Sequence, residues 1–157
     1  MGTEHNIYKK NRHSCYLLKY HLVVVTKYRH PVLTEEISSR LYEITRNIFC
    51  GSWGCTVISA KTDGDHIHIL FEAPPQVQLS GLINNYKTVS ARLLRKEFAD
   101  FLSKYYWKPV FWSRSYFVGC VSDVTEEIVD NYIRSQGKQK KKRHYLYPSL
   151  RLWMEYA

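Results

Sequence analysis

Apolar positions recur along this chain with two periods, and the switches between them mark its elements. Tyr16 to Tyr28 (YLLKYHLVVVTKY) is β-branched and aromatic, which predicts a long first strand ended by Pro31. From Thr34 the spacing turns helical. Ile37, Leu41, Ile44 and Ile48 share one face, Thr34 can cap the first turn, and Glu35 and Glu36 stand where the helix dipole favours anions. Gly51 closes that helix. Cys55 to Lys61 (CTVISAK) and Asp65 to Phe71 (DHIHILF) read as strands of a hairpin turned at Thr62-Asp63-Gly64 and stopped by Pro74 and Pro75.

A long helix is predicted next, from about Leu79 to Tyr106. It would bury Leu79, Leu82, Ile83, Tyr86, Val89, Leu93 and Phe98 and expose Lys87, Arg92, Arg95 and Lys96, with Pro109 beyond its end. The aromatic loop Phe111-Trp112-Ser113-Arg114-Ser115 then introduces a fourth strand, Tyr116 to Val121. Asp123 with Glu126 three residues on resembles a capping box, and Ile128, Val129, Tyr132 and Ile133 carry a last helix to about Gln136, where Gly137 stops it. The order β-α-β-β-α-β-α predicts an α+β fold: a ferredoxin-like (split βαβ, RRM-like) antiparallel sheet with an added C-terminal helix carrying Tyr132. No repeat or interdomain linker interrupts it. The expectation is one domain over 1–136, with 137–157 as a basic and aromatic extension of it.

Alternation on the histidine strand matters most for chemistry. His66 and His68 face one way and Ile67, Ile69 and Phe71 the other, so the two imidazoles stand about 7 Å apart at Cα, close enough to converge on one metal ion. On the last helix, Tyr132 and Gln136 share a face about 6 Å apart along the axis. If that face lies over the histidines, Gln136 offers an amide oxygen beside a tyrosine phenol, a donor set that suits Mg²⁺ or Mn²⁺ acting on a phosphate. Plainer readings fit the same residues: two ordinary histidines on a strand, and a Tyr132 that packs in the core one turn from Ile128.

Composition narrows the partner. The 157 residues are 45% hydrophobic without a long apolar run, and the polar, basic start carries no signal peptide, so a cytoplasmic, nucleoid-associated protein with no membrane partner is expected. Cys15, Cys50, Cys55 and Cys120 form no CxxC pair and are expected as reduced core thiols. Lys and Arg number 23 against 14 Asp and Glu, a net charge of +9 that points to a polyanion, nucleic acid first. No acidic residue lies between Asn131 and Met154, and Lys138, Lys140, Lys141, Lys142 and Arg143 crowd into GKQKKKRH. A solvated tail is the alternative reading of that run. Candidate DNA contacts are these five with Lys87, Arg92, Arg95 and Arg114. Tyr105, Tyr106, Trp107, Phe111 and Trp112, near Lys104 and Lys108, are candidates for base stacking, half of them expected in the core.

Five blocks carry a resemblance: YLLKYHLVVVTKYRHPVL (16–33), GDHIHIL (64–70), YKTVSARLLRKEF (86–98), FWSRSYFVGCV (111–121) and YIRSQ (132–136). In that order they resemble the HUH single-tyrosine transposases of small bacterial and archaeal insertion sequences, often called transposase A. The resemblance implies that His66, His68 and Gln136 are metal ligands, that Tyr132 is the nucleophile, and that a homodimer acts on single-stranded DNA with hairpins at the element ends. It departs at Gly64, where relatives commonly have proline, and in the tail. Alternatives of other kinds are a domesticated HUH endonuclease, a relaxase or replication initiator, and an RNA-binding module of the same strand order.

Overall fold

The computed structural model describes residues 9–121. The expected last helix with Tyr132 and Gln136, and the tail with Lys138, Lys140, Lys141, Lys142 and Arg143, lie outside the described residues.

Four strands form one antiparallel sheet: β3 (Lys19–Thr26), β4 (Thr56–Thr62), β5 (His66–Glu72) and β6 (Trp112–Cys120), in the order β4-β5-β3-β6. A separate two-stranded ladder, β1 (Lys9–Lys10) and β2 (Cys15–Tyr16), precedes them. Helix α1 (Glu35–Arg46) connects β3 to β4, and β5 runs between those two strands. Helices α2 (Leu79–Glu97) and α3 (Ala99–Leu102) connect β5 to β6, and β3 runs between that pair. The architecture is therefore mixed α+β around an antiparallel sheet.

One face of the sheet makes the main core. Leu22 and Val24 of β3 and Ile67, Ile69 and Phe71 of β5 pack with Ile37, Leu41 and Ile44 of α1 and Leu82, Ile83 and Tyr86 of α2. The strict alternation in β3 and β5 is what delivers five such side chains to one face. Each buried Leu, Ile or Val stabilises by roughly 1.5–3 kcal/mol, so Ile69→Ala, at a fully buried position, would cost about 2–5 kcal/mol once the cavity is included. Several buried polar groups on this side are paired. The Tyr86 hydroxyl lies 3.0 Å from Thr45 Oγ1, which donates to the Leu41 carbonyl, and Trp112 Nε1 donates to Ser90 Oγ at 2.9 Å, fastening β6 to α2.

Several expected boundaries move. The first strand stops at Thr26 instead of Tyr28, and Cys15–Tyr16 pairs with Lys9–Lys10 instead of extending it. Helix α1 is capped as expected, Thr34 Oγ1 accepting from the Ile37 amide, but it widens into a π-helical end over Asn47–Ser52 that seats Phe49 in the core. The long helix is broken at Phe98, whose φ of −117° and ψ of 33° leave the helical region before α3 begins. The fourth strand begins at Trp112, so four of the five residues of the expected aromatic loop are sheet. Of the four cysteines only Cys55 is buried; Cys15, Cys50 and Cys120 are exposed free thiols.

The hairpin turn holds the departure noted at Gly64. Its φ of 60° lies in the left-handed region that proline cannot enter, and Leu33 N–H donates to its carbonyl at 2.9 Å. The turn is thereby stitched to the segment after β3 while both histidines keep their register.

Candidate functional site

The second face of the sheet carries the histidines. Leu22, Val24, Ile67 and Ile69 fill the core side, and alternation turns His21, Val23 and Val25 of β3 and His66, His68 and Leu70 of β5 to the other. Register brings His66 opposite Val25 and His68 opposite Val23. The two rings meet edge-on with centroids 4.8 Å apart, and both side chains are buried. The sequence-predicted pair is therefore assembled.

Each ring has one nitrogen already engaged. His66 Nδ1 lies 2.6 Å from Asp65 Oδ1, and since a carboxylate only accepts, the ring donates from Nδ1 and leaves Nε2 open. Asp65 is held in turn by Arg29, whose Nε donates to Oδ2 at 3.0 Å. Burial pushes the Asp65 carboxyl up, but the His66 hydrogen bond, the charge of His66 and the Arg29 guanidinium outweigh it and hold the carboxyl below its ordinary value. His68 Nδ1 lies 3.0 Å from Nε2 of His21, a third histidine stacked on it with ring centroids 5.2 Å apart. Burial pushes His21 down to about 4 and His68 well below its ordinary value, so both rings are neutral near pH 7.

The donor chemistry fits a divalent ion. In the tautomer in which His68 Nδ1 donates to His21 Nε2, Nε2 is the free nitrogen of both His66 and His68, and a buried neighbour sets the orientation of each ring, as metal-ligating histidines require. That arrangement puts the His21 proton on its own Nδ1, a buried atom without a hydrogen-bond partner among the described residues. Two imidazoles are an incomplete set: among the described residues no cluster of three or more His, Cys, Asp or Glu side chains could hold a metal. Asp65 and His21 were missed as functional candidates. An acidic residue next to the first histidine was a visible signal for Asp65, whereas nothing local marks His21.

Arg29 reaches Asp65 from an unusual turn. Tyr28 and Arg29 have φ of 59° and 54°, consecutive left-handed positions without a glycine, each costing of order 1–3 kcal/mol. The turn is held from three sides. Lys27 N–H donates to the Phe111 carbonyl at 2.8 Å, the Tyr106 hydroxyl donates to the Lys27 carbonyl at 2.9 Å, and Thr26 Oγ1 donates to the His30 carbonyl at 2.8 Å.

The expected DNA contacts divide. Arg92 and Arg114 are exposed, on α2 and β6. Lys87 and Arg95 are half-buried instead of exposed: Lys87 Nζ donates to the Arg114 carbonyl at 2.8 Å and sits 5.7 Å from the Tyr116 ring centre, and Arg95 Nε donates to the Ala91 carbonyl. Among the aromatic candidates Tyr106, Phe111 and Trp112 are core, Tyr105 is half-buried, and Trp107 is 82% exposed with Lys108 Nζ 4.3 Å from its ring centre.

Comparison with known proteins decides the family. The sequence model described as "Transposase IS200 like" matches residues 14–136. The chain belongs to the IS200-like transposase family. It is 35% identical over 128 residues to the ISDra2 transposase TnpA of Deinococcus radiodurans, covering 82% of this chain and 90% of that one. To the transposase for insertion sequence element IS200 of Salmonella typhimurium it is 33% identical over 141 residues, 90% of this chain and 88% of that one. A crystal structure assigned to a transposase of Deinococcus radiodurans R1 superposes with a TM-score of 0.67 at 33% identity, over 82% of this chain and 97% of that chain. A REP-associated tyrosine transposase solved with a REP hairpin shares the fold alone, with a TM-score of 0.53 at 11% identity over 82% of this chain and 72% of that one. The IS200-like transposases are DNA-cleaving and joining enzymes, as the resemblance implied. Among the described residues no helix is long and apolar enough to cross a membrane.

Proposed function

We propose that this IS200-like transposase is a metal-dependent enzyme of single-stranded DNA that recognises hairpins at the ends of its element and acts as a homodimer. The observation that carries the reading is the buried pair His66 and His68 on one face of β5, each with Nδ1 engaged by a neighbour, Asp65 and His21 respectively. Its fold is a ferredoxin-like split βαβ, supported by the placement of β5 between β3 and β4 and of β3 between β5 and β6.

His66, His68 and Gln136 would hold Mg²⁺ or Mn²⁺, with two ring nitrogens and one amide oxygen. The chemistry such an ion supplies when bound is charge neutralisation at a non-bridging oxygen of the scissile phosphate. Asp65 and His21 keep the two rings in the tautomer that leaves Nε2 unprotonated. Tyr132 is the nucleophile: its phenolic oxygen forms a bond to phosphorus as the bond to the 3′ oxygen breaks, giving a 5′-phosphotyrosine and a free 3′-OH. The phenolic proton leaves and the departing 3′ oxygen gains one. Because the phosphoester bond is conserved in the tyrosine ester, attack by another 3′-OH joins new ends without an external energy source.

The test is cleavage of a hairpin-bearing single strand in Mg²⁺ or Mn²⁺. His66→Ala with His68→Ala should abolish cleavage and leave hairpin binding within a few-fold of wild type. Full cleavage by the double variant would overturn the metal assignment.

A further inference from the structure

Tyr28 is the residue on this turn that gains no burial in return for its left-handed backbone. A left-handed backbone is where glycine or asparagine is expected, and a bulky aromatic residue there is an outlier. Its neighbour Arg29 gains an ion pair with Asp65 for the same distortion. Tyr28 gains no burial, since 59% of it is exposed to solvent. Its ring has Lys27 Nζ 5.2 Å from the centre and the His30 ring edge-on at 5.8 Å. The three contacts that anchor the turn to Phe111, Tyr106 and His30 hold the ring outward on a stiff base instead of a mobile loop. A strained, exposed, rigidly mounted aromatic beside a cation is what a stacking surface for an unpaired base requires, because a preorganised ring gives contact area at little entropic cost.

We infer that Tyr28 is a stacking platform for one unpaired nucleobase of single-stranded DNA, mounted on the turn that also orients His66. The inference rests on the proposed action on single strands and adds the place where a base is gripped. Lys27 supplies the adjacent phosphate contact that the net charge of +9 favours. Arg29, next in the chain, reaches Asp65, and Asp65 reaches His66, so the backbone from Tyr28 to Arg29 and two hydrogen bonds of 3.0 and 2.6 Å tie the gripped base to the candidate ligand. A strand gripped here cannot shift past Tyr28 without breaking the stack.

The experiment is binding of a fluorescent single-stranded oligonucleotide to the full chain, with no cleavage needed. Tyr28→Phe keeps the ring, and Tyr28→Asn removes it while tolerating the left-handed backbone, so neither disturbs the turn. Tyr28→Phe should bind within about two-fold of wild type. Tyr28→Asn should weaken binding by about 5- to 150-fold, the worth of one stacked base, with an unchanged salt slope because no phosphate contact is lost. An abasic scan of the oligonucleotide should reveal one position whose removal costs wild type the same factor and costs Tyr28→Asn nothing further. Equal binding by Tyr28→Asn and wild type overturns the platform and leaves the single-strand reading standing. So does an abasic profile identical in both. A wild type that binds duplex and single strand alike overturns the reading beneath it as well.

Discussion

Replacing Asp65 by alanine should loosen the proposed metal site while leaving both proposed histidine ligands in place. The carboxylate holds His66 Nδ1 at 2.6 Å and Arg29 Nε at 3.0 Å, so its loss frees the imidazole to rotate and to exchange tautomers, and removes one ion-pair partner of the guanidinium. Loss of an outer partner of this kind typically costs about 10- to 100-fold in metal affinity, or roughly 1.4–2.7 kcal/mol. Asp65→Asn should fall between: its amide oxygen can still accept from Nδ1, but the charge facing Arg29 is gone. The ion pair is partly exposed, with side chains 26% and 13% accessible, so the accompanying loss of fold stability should be nearer 1 than 4 kcal/mol. Titration of Mn²⁺ into the DNA-free protein, followed by electron paramagnetic resonance well below the unfolding temperature, separates the two effects. Wild-type Mn²⁺ affinity in Asp65→Ala would refute the orienting role and the tautomer argument with it.

Three further outcomes follow from the same geometry. Burial holds the His21 imidazole near a pKa of about 4 against 6.5 in the unfolded chain, so between those values the unfolded state binds more protons; the contribution is complete above about pH 6.5 and lost as pH falls to about 4, roughly 3 kcal/mol that urea unfolding should show shrinking in His21→Leu. A His21→Leu protein with the wild-type pH dependence would contradict it. Lys87→Ala should lower stability by about 1–2 kcal/mol and leave the salt slope of DNA binding unchanged, because its ammonium is spent on the Arg114 carbonyl; a smaller slope would return it to the DNA contacts. Truncation after Gly137 should reduce that slope by about 0.7 for each lost phosphate contact, and an unchanged slope would make Lys138, Lys140, Lys141, Lys142 and Arg143 solvated charge.

What was legible in the sequence was what short-range periodicity encodes. The alternation of DHIHILF placed His66 and His68 on one face and three apolar neighbours on the other without knowledge of any partner strand. Thr34 and the acidic first turn announced α1 for the same local reason. The misses have longer-range causes. No glycine or asparagine signals the left-handed pair at Tyr28 and Arg29, since contacts with Phe111, Tyr106 and His30 impose it. Phe98 breaks the long helix without a proline or glycine. Trp112 looked like a loop aromatic and is a core residue because Ser90, 22 positions earlier, accepts its indole N–H. His21 was read as one more strand residue; its hydrogen bond to His68 spans 47 positions and exists only once β3 and β5 pair.

The central claim is covalent chemistry at one phenol, and the most direct measurement is mass spectrometry of the wild-type protein after incubation with a hairpin-bearing single strand and Mg²⁺ or Mn²⁺. The account predicts one peptide carrying a 5′-linked nucleotide, with the added mass on Tyr132, and no adduct from Tyr132→Phe even though that variant binds the strand with wild-type affinity. A nucleotide on any other tyrosine, or cleavage that releases a free 5′-phosphate from both proteins, would contradict it.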